Sequence, residues 1–225
     1  DAAQGVMARY AGRALGAIGD LGCYSFHETK NVISGEGGAL LVNDPALVER
    51  AEVIREKGTD RSRFFRGQVD KYTWQDLGSS FLPGEMVAAF LWAQLEEADR
   101  ITARRLERWR RYHELLAPLE SEGLLRRPVV PRESEHCAHL YYVLLAPGID
   151  RASVLAGLER RGVSAVHHYV PLHSSPAGIR YGRAHGSLHV TDSASASLIR
   201  LPLWNEISEA QQVRVARSLD AAMRG

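Results

Sequence analysis

One lysine between an apolar strand and a glycine-rich turn is the first residue of this chain that could do covalent chemistry. Lys30 lies in the stretch YSFHETKNVISGEGGALLVND, residues 24–44. Most lysines are solvated surface residues. A lysine partly removed from water loses proton affinity and becomes a nucleophilic amine, which can form a Schiff base with an aldehyde. Lys30 is therefore a candidate catalytic residue, with a surface lysine as the alternative.

Two other chemistries fit this segment poorly. Ser25 and Lys30 are spaced S-x-x-x-x-K, whereas serine acyl-enzymes use S-x-x-K. The run SGEGG, residues 34–38, is not G-x-x-x-x-G-K-[ST] and does not open a helix after a strand. It therefore indicates neither a P-loop nor a dinucleotide fingerprint. The glycines predict instead a tight backbone turn beside a ligand.

Three histidines in the C-terminal half raise the question of a metal site. His167 and His168 fall in a predicted strand, where alternation would place them on opposite faces, and His173 follows shortly after. No H-E-x-x-H pattern is present. We therefore expect no metal at these residues.

Composition excludes several classes of protein. The 225 residues are 45% hydrophobic and 24% charged, which is typical of a soluble globular protein. The net charge of +1 indicates no strong field for nucleic acid or anionic membrane. Six arginines cluster between Arg100 and Arg111, and acidic neighbours make a solvated helix face the favoured interpretation over a nucleic-acid patch.

The cysteines and the apolar runs indicate the cellular compartment, and the first residue indicates the extent of the chain. Cys23 and Cys137 cannot form a disulfide framework, which favours a reducing, cytoplasmic setting. No apolar run reaches the roughly 20 residues of a membrane span. The chain starts at Asp1 without a methionine, so we expect a fragment of a longer protein.

The first half of the chain predicts a hairpin followed by helices. Its elements are strands at 22–26 and 38–42, a helix that starts at Asp44-Pro45 and ends at Gly58, an irregular loop at 59–84 and a long helix or broken helix pair from 85 to about 120. The predicted buried stripe of the first helix is Leu47, Val48, Ala51 and Ile54. A loop as long as 59–84 is usually functional.

The second half predicts a small α+β unit. Its elements are strands at 140–145 and 163–169, and helices at 151–161, 194–199 and 208–223. We place a domain boundary inside the helical connection, which gives domains at 1–105 and 106–225.

Together these segments resemble a known family. The residues SFHETKNVISGEGGALLVND, the opening DAAQ, the stretch REKGTDRSRFFRGQVDKYTWQDLGSSFL, and the later AAFLWAQLE, HYVPLHSSPAG and RLPL span nearly the whole chain. They resemble the pyridoxal-phosphate (PLP) sugar aminotransferases of the DegT/DnrJ type. The resemblance implies an α/β, aspartate-aminotransferase-like fold (fold type I). Residues 1–105 would then be the remainder of the large PLP-binding domain, and residues 106–225 the small C-terminal domain.

The resemblance also implies a role for each cofactor-binding candidate. Lys30 would form the Schiff base with pyridoxal 5'-phosphate and would act as the acid and base in proton transfer. Asp1 would face the pyridinium nitrogen, and Gln4 would lie against the ring or its phenolic oxygen. Ser25 would donate its hydroxyl to the cofactor phosphate. The alternatives are a frayed terminal residue for Asp1 and ordinary polar surface residues for Gln4 and Ser25.

Two further groups of residues take roles from the same resemblance. Many relatives carry an asparagine in a G-Y-N-Y-R element that reaches the phosphate of the neighbouring subunit, and here Gly78 to Leu82 (GSSFL) puts Ser80 in that place. The implied assembly is a homodimer with shared active sites. His168, Tyr169 and His173 would contact the sugar or the nucleotide, although structural packing explains them equally well.

The implied reaction is a PLP-dependent transamination of a nucleotide sugar. The amino group of L-glutamate would pass to the C4 ketone of dTDP-4-dehydro-6-deoxy-D-glucose. The alternatives are a different nucleotide keto sugar, or a non-catalytic relative of this fold that acts as a binding or regulatory module. Related sugar dehydratases have histidine in place of the lysine, so Lys30 argues against them.

Overall fold

The computed structural model describes all residues from 1 to 225 as a mixture of strands and helices. Strands are β1 (Arg9–Tyr10), β2 (Arg13–Ala14), β3 (Leu21–Ser25), β4 (Gly38–Val42), β5 (Leu125–Arg126), β6 (Ser134–Glu135), β7 (Tyr141–Leu145) and β8 (Leu198–Leu201). Helices are α1 (Val48–Arg55), α2 (Arg61–Phe65), α3 (Glu85–Glu96), α4 (Ala98–Leu115), α5 (Ala117–Ser121), α6 (Arg151–Arg160), α7 (Pro176–Tyr181), α8 (His189–Ser197) and α9 (Glu209–Arg224). None of these helices is both long enough and apolar enough to cross a membrane.

The chain divides into two compact units. The first contains residues 1–102 and 131–139, and the second contains residues 103–130 and 140–225. The first unit holds the β2-β1-β6 sheet and the β3-β4 hairpin, and the second holds the β5-β7-β8 sheet. The boundary expected at residues 105 and 106 concerns the domains of the complete protein and stays a prediction.

The predicted hairpin is confirmed, with its first strand shifted by one residue. β3 and β4 run antiparallel in a register that pairs Leu21 with Val42 and Ser25 with Gly38. Gly35 and Gly37 have φ of +84° and +142°, a region in which other residues are strained. A Cβ on Gly38 would lie 2.7 Å from the Tyr24 carbonyl oxygen. Backbone geometry therefore requires these glycines.

The helix after this hairpin starts as predicted but buries a different residue. The Asp44 carboxylate accepts a hydrogen bond from the Ala46 amide and caps a 3₁₀ turn that leads into α1. Val53 is the buried residue of α1, whereas Val48 and Ile54, both in the predicted stripe, are exposed. The stripe was wrong because apolar spacing alone does not show which face meets a neighbour.

The long helix expected from residue 85 to about residue 120 is three helices, α3, α4 and α5. The interruptions fall at Glu97 and Leu116. α3 is mostly apolar and yet has no buried residue. Met86 is 86% exposed and Trp92 is 66% exposed.

The second unit corrects two predicted elements. Residues 163–169 form no strand, and only a single bridge joins Val166 to Arg200. The third strand of the sheet is instead β8, which pairs with β7 and buries Ile199 and Leu201. The predicted helix at 194–199 is α8, which lies earlier and ends at Ser197 because Leu198 takes extended backbone angles.

The core of the second unit is built from the sheet and the helices that cover it. Most of the largest fully buried side chains lie in α4 and the turn after it, in β7 and β8, and in α6 and α9. They include Tyr112, Leu116, Tyr141, Val143, Leu158, Ile199 and Leu219. The predicted terminal helix is confirmed as α9, and Ser208 and Gln211 form a capping box at its start.

Candidate active site

Lys30 lies in the loop that joins β3 to β4, between two buried residues. Phe26 before it and Val32 after it pack in one apolar cluster with Ala98. The Lys30 amide donates to the His27 carbonyl at 2.9 Å, and the Ser34 amide closes the loop by donating to the Phe26 carbonyl at 2.7 Å. The loop therefore holds the Lys30 backbone in a defined position.

Lys30 is a half-buried residue, and its amine has no partner. It makes no hydrogen bond or ion pair with another residue of the chain. A narrow hollow is lined by Lys30, Gln4 and His139, together with Ala3, Val6 and Asn31. The structure thus brings Lys30 and Gln4, two of the predicted site residues, to the same hollow.

Asp1 and Ser25 belong to the same unit as Lys30. The Asp1 carboxylate is exposed and accepts a hydrogen bond from the Ala3 amide at 2.8 Å. The amide of the buried Ala2 donates to the Cys23 carbonyl at 3.0 Å, which holds the Asp1 segment beside β3. Ser25 ends β3, and its hydroxyl oxygen accepts from the His27 amide at 3.3 Å. That hydroxyl keeps its proton for donation to a ligand.

Ser80 is exposed and lies at the end of the long loop. The chain on either side of this loop is tied together, because the Lys57 amide donates to the Ser79 carbonyl at 3.0 Å and the Ser79 amide to the Ile54 carbonyl at 2.9 Å. Ser80 itself forms a bridge with Glu56. The position of Ser80 is therefore fixed by main-chain hydrogen bonds rather than by its side chain.

A buried carboxylate supports the same loop. The Glu56 side chain is 8% exposed and lies 3.0 Å from the Arg55 guanidinium. It also accepts from the Ser62 hydroxyl at 3.2 Å. Nearby, the Arg66 guanidinium donates two hydrogen bonds of 2.8 Å to the Glu52 carboxylate. These bonds lower the pKa of the Glu52 carboxyl. These pairs hold the first part of the loop against α1.

The second unit carries the predicted substrate-binding residues. His168 is half-buried and packs edge-on against the Tyr169 ring at 5.0 Å. Burial, and secondarily the charge of Arg200, lowers the pKa of His168. Tyr169 is 76% exposed. The His173 Nε2 atom lies 2.9 Å from an Asp192 carboxylate oxygen.

The histidine pair of this segment differs from the prediction in its backbone. His167 and His168 lie in irregular chain and not on opposite faces of a strand. No group of three or more His, Cys, Asp or Glu side chains in residues 1–225 is arranged to hold a metal ion.

Two polar residues of the Lys30 hollow, Asn31 and His139, were not predicted from the sequence. Asn31 directly follows Lys30 in the sequence, and this adjacency could have identified it as a candidate site residue. His139 lies in the segment 131–139, and its ring nitrogen is 3.1 Å from the Asn31 side-chain oxygen. No local pattern could have shown this contact, because it joins residues 108 positions apart.

Comparison with known proteins places these features in a family. The model of the DegT/DnrJ/EryC1/StrS aminotransferase family matches residues 1–220. A pleiotropic regulatory protein of Geobacillus stearothermophilus is 32% identical over 97% of this chain and 56% of its own length. The dTDP-3-amino-3,4,6-trideoxy-alpha-D-glucose transaminase of Streptomyces venezuelae is 32% identical over 96% of this chain and 53% of its own.

The fold agrees with a solved aminotransferase. The crystal structure of the aminotransferase TlmJ from Streptoalloteichus hindustanus superposes with a TM-score of 0.83 at 27% identity, over 97% of this chain and 56% of that one. The predicted α/β aminotransferase fold is thereby confirmed. The chain spans a little over half the length of these relatives.

Aminotransferases of this family depend on PLP, and the residues around Lys30 fit that cofactor in kind. An unpartnered half-buried amine suits its aldehyde, and an amide side chain lines the same hollow. A carboxylate and a serine hydroxyl are held on the same unit. From its matched residues, its fold and this set of side chains, the chain belongs to the DegT/DnrJ/EryC1/StrS aminotransferase family.

Proposed function

We propose that this chain is the lysine-bearing part of a PLP-dependent aminotransferase that acts on a nucleotide-linked keto sugar. One observation carries the proposal: Lys30 is half-buried in a loop between two buried residues, and its amine has no partner. A lysine that served only to keep the surface soluble would not need buried residues on either side of it. Bound PLP would supply an aldehyde for amines and a ring that accepts electrons.

Lys30 has two roles in this proposal. Its Nζ atom would hold the cofactor in the resting protein. When free, the same atom would take the proton from Cα of the amino donor and later deliver a proton to the carbon of the sugar that receives nitrogen. An amine that makes no hydrogen bond or ion pair within the chain suits both roles, because no protein group competes for it.

The remaining candidate residues would bind and orient the cofactor or the substrate. The Asp1 carboxylate holds the proton on the ring nitrogen, and the Gln4 amide contacts the ring or its phenolic oxygen. The Ser25 hydroxyl donates to the phosphate. Ser80 donates to the phosphate of a neighbouring subunit, so the active sites of a homodimer would be shared. His168, Tyr169 and His173 contact the sugar or the nucleotide.

The substrate we propose is dTDP-4-dehydro-6-deoxy-D-glucose, with L-glutamate as amino donor and dTDP-4-amino-4,6-dideoxy-D-galactose as product. Support comes from the quoted segments, which resemble dTDP-4-amino-4,6-dideoxygalactose transaminase of enterobacterial common antigen synthesis. The name of the Streptomyces venezuelae relative puts the amine on C3, so a 3-keto sugar is the competing substrate. We place the reaction in the cytoplasm.

A regulatory module is the second candidate function. The relative from Geobacillus stearothermophilus is named as a pleiotropic regulatory protein. A protein with only that role would not need a Lys30 amine that reacts with PLP. Covalent labelling therefore separates the two candidates.

The experiment uses the full-length protein, incubated with PLP and then reduced with borohydride. We expect peptide mass mapping to find the label mainly on Lys30, and Lys30→Ala to keep only the slower labelling of the other lysines. Turnover of Lys30→Ala, measured on a panel of 3-keto and 4-keto nucleotide sugars with L-glutamate, should fall by at least ~10² to 10⁴. Lys71→Ala is the matched control. A wild-type protein that takes no label at Lys30 would refute the enzyme proposal.

A further inference from the structure

The Asn31 side chain joins the lysine loop to a distant segment of the same unit. Its Nδ2 atom donates to the Cys137 carbonyl at 2.7 Å. Its Oδ1 atom lies 3.1 Å from Nδ1 of His139. These partners are 106 and 108 residues away in sequence. Residues outside the lysine loop therefore fix the side chain of Asn31, which directly follows Lys30.

The hydrogen bonds assign the orientation of both side chains. A carbonyl only accepts, so the amide NH₂ of Asn31 must face Cys137, and its oxygen must face His139. Nδ1 of His139 must then carry the proton, an assignment that follows from the network and not from visible hydrogens. Asn31 is held by one acceptor and one donor, and neither contact survives a rotation of its amide.

The segment that holds Asn31 has an unusual backbone. Ala138 is buried and has φ of +51°, which is uncommon for a residue with a Cβ. Its amide donates to Nδ1 of His136 at 3.2 Å. The Cys137 thiol donates to the Gln4 carbonyl at 3.2 Å. A strained conformation persists only where its surroundings determine it, and such conformations cluster at functional sites.

Two of these residues also line the hollow beside Lys30. Lys30, Asn31 and His139 line one hollow together with Gln4. We propose that Asn31, held by the Cys137 carbonyl and the His139 ring, is a positioning residue that sets the direction of the Lys30 amine. This inference rests on the proposed function of Lys30. Without the Asn31 side chain, the loop stays closed by its main chain but the Lys30 side chain has a wider range of directions.

The test measures the reactivity of Lys30 against the other lysines of the chain. Only Lys57 and Lys71 accompany it, so they are internal standards. The full-length protein is mixed with PLP; the lysine nitrogen adds to the aldehyde carbon, water leaves, and added cyanoborohydride delivers hydride to that carbon. Peptide mass mapping then gives the rate of secondary-amine formation at each lysine.

We expect Asn31→Ala to slow labelling of Lys30 by at least about tenfold, since misplacing a reacting group by about 1 Å can cost ~10²-fold. Lys57 and Lys71 should label at the wild-type rate. Asn31→Asp keeps the shape but loses the donor to Cys137, and it should also slow Lys30. The matched control is Asn43→Ala, which removes an amide that donates to the Gly16 and Gly19 carbonyls at 2.9 and 2.8 Å.

A second pair of variants separates positioning from general stability. His139→Gln keeps a donor for the Asn31 oxygen and should retain most of the wild-type labelling rate of Lys30. His139→Leu has no such donor and should label Lys30 more slowly. If Asn31→Ala does not fold, this pair decides. Wild-type labelling of Lys30 in Asn31→Ala, or equal rates in His139→Gln and His139→Leu, would overturn the inference. Absence of preferred labelling in the wild-type protein would instead overturn the proposed function.

Discussion

At the scale of single residues, a small charged cluster in the second unit couples stability to pH. The Glu120 carboxylate accepts from the Arg127 amide at 2.7 Å and from its guanidinium at 2.6 Å. Hydrogen bonding by the Arg127 amide is the main reason that the pKa of Glu120 is lowered. His113 stacks on Trp109 at 4.8 Å, and its pKa is lowered by burial and then by the charge of Arg127.

We predict that stability falls on acidification because of His113. Its pKa in the folded protein is below the ordinary value of 6.5, so below that pH the unfolded chain binds a proton that the folded chain refuses. His113→Phe keeps a ring against Trp109 but removes this proton. The free energy of unfolding from urea titrations between pH 7 and 5 should therefore depend less on pH in His113→Phe than in wild type. A control at the exposed His185, His185→Phe, should keep the wild-type slope; equal slopes in both variants would contradict the prediction.

At the scale of elements, the starts of the first and the last helix were predicted correctly, whereas the long helix from residue 85 and the strands of the second unit were not. The Asp44 cap was predicted, because an N-cap depends only on residues within one turn, and the terminal helix was predicted to begin at Ser208. β8 was missed, because Leu198–Leu201 becomes a strand by pairing with β7, some 55 residues earlier in the chain. Residues 163–169 have a strand-like pattern but gain only one bridge, since no further partner lies beside them.

The cap of α9 gives a prediction at this scale. The Gln211 amide donates to the Ser208 hydroxyl at 3.2 Å, and the Ser208 amide donates to the Gln211 side-chain oxygen at 2.8 Å. Ser208→Ala removes the first bond and should lower the free energy of unfolding by about 1 kcal/mol. Urea titration measures it, with Ser164→Ala, at an exposed serine outside the helices, as control. A loss no larger than that of the control would show that the cap contributes nothing.

At the scale of the whole molecule, the first unit exposes much apolar surface. α3 presents Met86, Phe90 and Trp92 to solvent, and the neighbouring loop adds Leu77 and Phe81. Large exposed apolar side chains become an interface where they form a contiguous patch. It supports the proposed homodimer, in which Ser80 would serve the active site of a neighbouring subunit.

We predict that α3 forms part of that interface. Replacing two of its exposed side chains, Met86→Asp with Trp92→Asp, should weaken the dimer of the full-length protein by at least about tenfold, or about 1.4 kcal/mol. Sedimentation over a range of concentrations measures the change. Val129→Asp, at an exposed residue outside the helices, should leave the dimer intact. A double variant that sediments like wild type would exclude α3 from the interface.

The sequence by itself determined the features that depend on neighbours along the chain. Lys30 was recognised from its residue type and the glycines that follow it, and the resemblance of the surrounding segments gave the family and the fold. Helix caps and the β3-β4 hairpin were also predictable, since their contacts are local. The roles of Asp1, Gln4, Ser25 and Ser80 remain proposals.

Only the tertiary structure decided which distant residues meet. It showed that Asn31 is tied to Cys137 and His139, that β8 completes the sheet of the second unit, and that the apolar face of α3 is left uncovered within this chain. Such contacts join residues up to 108 positions apart, and their stability comes from burial and hydrogen bonding across the folded unit. No local spacing of residue types records them.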